Sequence, residues 1–381
     1  MKKIYKFFLF ILCTCLIQCE KEGDGITVLY PLTQTTEIEN LTPYISLCEF
    51  IQLEETDNSM LASINKIIID RKGNFIINGA GVKIFNSEGK FLYSVGRKGR
   101  GPGEYSIKKD ICLSNDCANI LVLDMNNVLE YSSEDGKFIK NIAIPAKNYE
   151  EICPAKDGGF YLFASNPHDW SDLDINFNAM DLFNNKGEQI SEFLPRKDFV
   201  FTYGFFSQSY DNNYYLRPQE GDNILYKVVD GDIQPVYRID FGNKSIPPRY
   251  MKFIDGIPDI QDYIRSSYFK LPLYFQDSQN QLYFLSVGPG GHQHNFLYAM
   301  PGNRGIHWED KNPDDSTPLK IRASDNEYLY AVLDSPHSYF ELSEKQINPL
   351  TRYLIMEIKN RNLNINENPI IAKIKFTLDD K

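Results

Sequence analysis

The stretch "GRKGRGPGEY", residues 96–105, sets four glycines, one proline and three cations within ten positions. A Walker-type phosphate cradle needs Gly-Lys-Ser/Thr opening a helix, and this stretch supplies neither. It follows an apolar run ending at Val95 and leads toward another at Ile107. Glycines there permit positive φ and close backbone approach, and Pro102 stiffens the turn. The stretch therefore reads as a connection between repeats near a central channel, anchored by Glu104 and Tyr105. A functional reading stands beside that architectural one. Arg97, Lys98 and Arg100, with Glu104, place a basic patch on an acidic chain, suited to a carboxylate, a sulfate or a uronic acid.

A second motif, "GPGGHQHN" at 288–295, carries His292 and His294 two residues apart. In a strand they share a face and both reach a divalent metal. Two histidines are too few for a zinc site, so a third ligand (His168, His307 or His337) must come from elsewhere. Histidines in a loop, without metal, are the plainer outcome. "NPHDWSDLDIN", at 166–176, surrounds Trp170 with aspartates that suit sugar rings or calcium, but it lacks the spacing and glycine of a twelve-residue calcium loop. Trp308, Tyr268 and Tyr274 read as packing residues. No G-x-S-x-G element is present, and no cofactor motif.

These motifs need a scaffold. With 24 Tyr and 25 Phe, the chain alternates short apolar runs with polar turns, which points to an all-β fold. Polar turns leading into apolar strands recur, with Phe75, Ile120, Phe160, Tyr214, Leu282 and Tyr328 at equivalent places. Hairpins such as "VKIFNSEGKFLYSVG" follow the first five; the sixth is followed by "YLIMEIKNRNLNINENPIIAKIKF", which is longer and less regular. A period of roughly 40 to 50 residues, with four strands per unit, is what β-propeller blades require. Six blades are expected, in one domain, with ring closure by an N-terminal strand within about 44–56 pairing with the last blade. The long spacing between Tyr214 and Leu282 implies an insertion at about 246–270, where Pro247 and Pro248 block a strand.

The N-terminus fixes a compartment. Lys2, Lys3 and Lys6 precede "FFLFILCTCLI", an apolar run of signal-peptide length ending in "LIQC". That ending resembles a bacterial lipobox, although Gln18 is larger than the usual residue there. Residues 1–18 thus read as a signal peptide, Cys19 as the lipidated first residue and 19–40 as its tether, with the propeller over 41–381. Forty basic against 51 acidic residues give a net charge of −11, which disfavours nucleic-acid binding. Of the cysteines past the leader, Cys112 and Cys117 flank a turn where a local bridge fits; free thiols, with Cys48 and Cys153, are the alternative.

Residues 44–105, through "FIQLEET", "SINKIIID", "IFNSEGKFLYSVG" and above all "GRGPGEY", resemble the opening of the six-bladed β-propeller lipoproteins of Bacteroidetes, propellers of the NHL/TolB-like kind. The resemblance implies a cell-envelope location, at the outer membrane and facing either the periplasm or the surface; it carries no catalytic residues. Two function classes follow. The first is a monomeric, non-catalytic binding protein, held at the membrane by its lipid and recognising a glycan, a peptide or an envelope protein, with no cofactor. The second is a propeller hydrolase or lyase with its site at the channel mouth, with or without a metal.

Overall fold

The computed structural model describes residues 25–164, 177–196, 205–217, 223–229, 232–247, 266–270, 273–301, 304–310, 319–334, 347–365 and 367–378. Six antiparallel sheets follow one another in a ring, each beginning with an inner strand: Lys66–Ile69, Asp110–Leu113, Glu151–Pro154, Phe205–Gln208, Tyr274–Ser278 and Lys320–Ser324. The inferred repeat holds. Phe75, Ile120, Phe160, Tyr214 and Leu282 fall at the start of the second strands of blades 1 to 5, and Tyr328 directly precedes that of blade 6.

A local rule builds many of these hairpins. In "NSEGK" the Asn86 side-chain oxygen accepts from the backbone N–H groups of Glu88 and Lys90, at 3.0 and 2.8 Å. Gly89 then takes φ +86°, which side-chain-bearing residues resist. Asp70 and Asn184 organise the same turn ahead of their own glycines. The core is accordingly a ring of layers between blades. One layer sets Ile68 and Ile84 of blade 1 against Ile111 and Val122 of blade 2, and another sets Trp308 and Tyr283 of blade 5 against Ile321 and Leu329 of blade 6. Each blade hides its apolar face on its neighbour, so the domain grows without one large centre.

The ring closes as anticipated, since Ile45–Gln52 is the outermost strand of blade 6 and pairs antiparallel with Ile370–Phe376. The segment expected to be a tether is partly blade. Thr27–Leu29 adds in parallel to the outer strand of blade 4, Asp232–Ile239, and Thr35–Glu37 adds in parallel to that of blade 5, Arg304–Asp310. Ile26, Val28, Leu29 and Leu41 are buried, which is why this stretch stays on the body. Residues 26–52 thus belt three consecutive blades around the rim.

A second departure is a helix, Pro349–Arg361, inserted between the second and third strands of blade 6. Asn348 caps it by accepting from Thr351 N at 2.8 Å, and Leu350, Leu354, Ile355 and Ile358 form its buried face. No described helix is long and apolar enough to cross a membrane. Most of the insertion at 246–270, together with His168, Trp170 and His337, lies outside the described residues; Phe269, near its end, stacks on Phe241 at 4.4 Å. Cys48, Cys112, Cys117 and Cys153 are all free, so the Cys112–Cys117 bridge does not form. Burial pushes the Cys48 thiol up to about 12 and raises those of Cys112 and Cys153 as well, so these three are inert packing residues.

Candidate functional site

The inner strands converge on an axial cavity of about 660 Å³. Every blade contributes to it: Asn65 and Lys66; Lys109 and Asp110; Glu150 and Glu151; Phe206, Ser207 and Arg217; Tyr274 and Gln276; Lys320 and Arg322. Most of the charged residues cluster where inner strands begin, or just before, and Arg217 ends the second strand of blade 4 opposite Phe205, where its inner strand begins, which places the mouth on the face that carries the outer-to-inner connections between blades. Five cations face three acids there, within a chain of net charge −11. Phe206, Leu273, Tyr274 and Phe275 supply apolar wall between them.

The acids are engaged in joining blades. Asp110 accepts from Lys66 Nζ at 2.8 Å and from Ile152 N at 3.1 Å, tying blades 1, 2 and 3. Glu151 accepts from Phe206 N, tying blade 3 to blade 4. Burial and the Asp110 carboxylate push Glu151 up to about 8, against the opposing pull of Lys66 and Arg217. Burial alone would lower the Lys66 ammonium; Asp110 and Glu151 outweigh it and leave it raised. Neutral groups continue the ring: Ser207 Oγ donates to Phe275 O, and Gln276 Nε2 donates to Ser207 Oγ at 2.7 Å and to Arg322 O at 3.2 Å.

Blade 6 shows a different pattern. The pairing of Lys320–Ser324 with its neighbour slips between Ile321 and Ala323, so Arg322 is the extra residue of a β-bulge. Such a bulge re-aims a side chain, here toward the channel. Arg322 donates from Nη2 to Asp334 at 2.9 Å, while its Nε is shut away from solvent and makes no hydrogen bond. Lys320 lies over the Tyr274 ring, 4.8 Å from its centroid, with Nζ 3.5 Å from the phenol oxygen.

The motifs singled out by sequence sit elsewhere. Arg97, Lys98, Arg100, Glu104, His292 and His294 do not line the cavity. The glycine-rich stretch connects the outer strand of blade 1 to the inner strand of blade 2, but it lies over blade 2 rather than beside the channel. Arg97–Lys98 pairs in parallel with Glu104–Tyr105, and Tyr131 of blade 2 donates its hydroxyl to Gly103 O at 3.1 Å. Glu104 accepts from Arg97 Nε at 2.6 Å and from Gly101 N at 2.8 Å, and these bonds hold its carboxyl below the usual range. Glu104 thus does the anchoring and Tyr105 is buried, while Arg97, Lys98 and Arg100 are exposed.

The paired histidines diverge in use. His292 Nδ1 meets Glu309, whereas His294 packs edge-on to Phe269, where burial lowers it to about 4. His307 is held by Thr35 at 2.8 Å, on the belt. Among the described residues no three potential metal ligands gather. Trp308 is fully buried, as expected of a packing residue. Tyr274 is not only that: it is half-buried and faces the channel. Sequence reasoning missed the channel set. Its one signal is a charged residue at or beside the start of four of the inner strands, as in "NKIIID", "KKDICL", "EEICP" and "LKIRAS".

Residues 30–375 match the profile of a domain of unknown function, DUF4934, and the chain belongs to that family. A Bacteroides fragilis protein described as exported is similar in structure, with a TM-score of 0.73 at 16% identity, over 92% of this chain and all 100% of that one. A member of the DUF4221 family from Bacteroides vulgatus is similar at a TM-score of 0.52 and 13% identity, over 87% of this chain and 97% of that one. No curated protein matches the sequence. These likenesses agree with the six-bladed propeller.

Proposed function

We propose that this chain is an exported, lipid-anchored propeller that captures a ligand at the mouth of its central channel and performs no chemistry on it. The channel carries the reading: a cavity of about 660 Å³ to which all six blades contribute, with fixed charges set in apolar wall. That volume lies within the roughly 300–1,000 Å³ usual for small-molecule sites. Export is supported by the leader and by the exported relative, and anchoring by the "LIQC" cysteine, Cys19. The ligand classes are a small molecule or the end of a glycan, a peptide or an envelope protein entering from the connection face.

Two measurements test the reading. Replacing Cys19 by Ala is expected to move the protein from the membrane fraction to the soluble one; retention in the membrane rejects the anchor. A thermal-shift screen of the Cys19→Ala protein against glycans, organic acids and short peptides is expected to yield a stabilising ligand, because binding to the native state raises the melting temperature by mass action. That shift must vanish in a channel variant, and turnover of the ligand would favour the hydrolase or lyase class instead.

A further inference from the structure

The two sides of the channel differ in how their charges are used. On blades 2 and 3, Asp110 and Glu151 are bound to backbone N–H groups of neighbouring blades. On blade 6, two cations face the cavity with bonding capacity left over. Lys320 lies over the Tyr274 ring, with its ammonium 3.5 Å from the phenol oxygen. Arg322 gives one nitrogen to Asp334 and keeps Nε buried without a hydrogen bond. A guanidinium N–H withdrawn from water without an acceptor is costly unless something supplies one.

We infer that the wall made by Tyr274, Lys320 and Arg322 is a subsite for the carboxylate of a ring-shaped organic acid. This deepens the capture reading above and rests on it. The carboxylate is received between the Lys320 ammonium and the part of the Arg322 guanidinium that lines the cavity, and Tyr274 flanks the ring. Charge sets the class. Lys66 is paired with Asp110 at 2.8 Å and Arg322 with Asp334 at 2.9 Å, and Glu150 and Glu151 lie across the cavity, so the one positive charge that Lys320 adds to this wall suits a monoanion better than a phosphate dianion. The apolar wall of Phe206, Leu273 and Phe275 favours a ring over an extended polar chain. Uronic acids and aromatic acids share this chemistry, and the test separates them.

The experiment is calorimetric titration of the Cys19→Ala protein with galacturonate, its neutral methyl ester, benzoate and inorganic phosphate. An acid is expected to bind at least ~10-fold more tightly than the neutral ester or phosphate, since one charged contact is worth roughly that factor. Tighter galacturonate than benzoate identifies a sugar acid, and the reverse an aromatic one. Lys320→Gln and Arg322→Gln should each weaken that acid at least ~10-fold. If Arg322→Gln fails to fold through loss of the Asp334 contact, Lys320→Gln decides alone, because Lys320 is half-exposed and its loss leaves the blade intact. Equal binding of acid and ester overturns the carboxylate subsite while leaving capture standing. Binding of the acid unchanged in Lys320→Gln also overturns the subsite, and so does an absence of binding by both acids. Loss of capture itself is read separately, from the wider ligand screen.

Discussion

The glycine-rich loop at 96–104 and the channel mouth both gather positive charge, but they use it in opposite ways. In the loop, the carboxylate that would compete with an anionic ligand for the cations is folded onto its own backbone and onto Arg97, and the remaining cations stand in solvent. At the mouth, acids stitch blades together while cations on blade 6 face the cavity. A compact run of charged and glycine residues therefore marks architecture here, and the dispersed set marks the cavity. An exposed pair such as Arg97–Glu104 contributes little, whereas a guanidinium shielded from water has strong consequences for whatever meets it.

The largest expected effect that would sharpen this contrast comes from Gly103→Val. Gly103 has φ +72°, and a Cβ there would come within 2.9 Å of Phe138, so the cost is about 3 kcal/mol from backbone strain and overpacking together. Chemical denaturation should show that loss, while the folded fraction binds its channel ligand unchanged. Weakened binding in the folded fraction would break the distinction.

Next in size is the pH response of Glu151. Its carboxyl is raised to about 8 in the folded protein by burial and by Asp110, with Lys66, Arg217 and the Phe206 N–H facing it from blades 1 and 4. The folded state then holds a proton that the unfolded chain has released, so stability is greatest below the unfolded carboxyl pKa and falls as pH rises toward 8. Melting temperatures measured from about pH 5 to about pH 9 should decline in the wild type and decline less in Glu151→Gln, which keeps an oxygen for the Phe206 N–H. Parallel curves would place the response elsewhere. Arg97→Ala and Arg100→Ala come last, with changes below about 0.5 kcal/mol in stability and none in ligand affinity. A clear loss of affinity in either would return the site to the loop.

How far the sequence disclosed this molecule depends on whether a feature is local. Blades were legible because each hairpin carries its own turn chemistry, as at Asp70, Asn86 and Asn184, and its own apolar alternation. Ring closure was legible because Ile45–Gln52 is a full-length strand. The added strands Thr27–Leu29 and Thr35–Glu37 are three residues each, too short for any period, and exist only because an outer strand was free to receive them. The helix Pro349–Arg361 has readable signals in Asn348-Pro349 and in the spacing of Leu350, Leu354 and Ile358, yet it sits among strands whose alternation masks it. The channel set is the least local of all. Lys66, Glu151, Arg217 and Arg322 come from different blades, and a charged residue near a strand end is ordinarily just solvated.

The belt has a mechanical consequence. Since the chain joins blade 4 by Thr27, a lipid on Cys19, as proposed above, would stand only six residues before Gly25. Six residues, fully stretched, reach about 20 Å. A propeller moored in the way proposed above would ride close to the bilayer with the blade 4 rim inward, and the opposite rim, blade 1, would be the part that reaches outward.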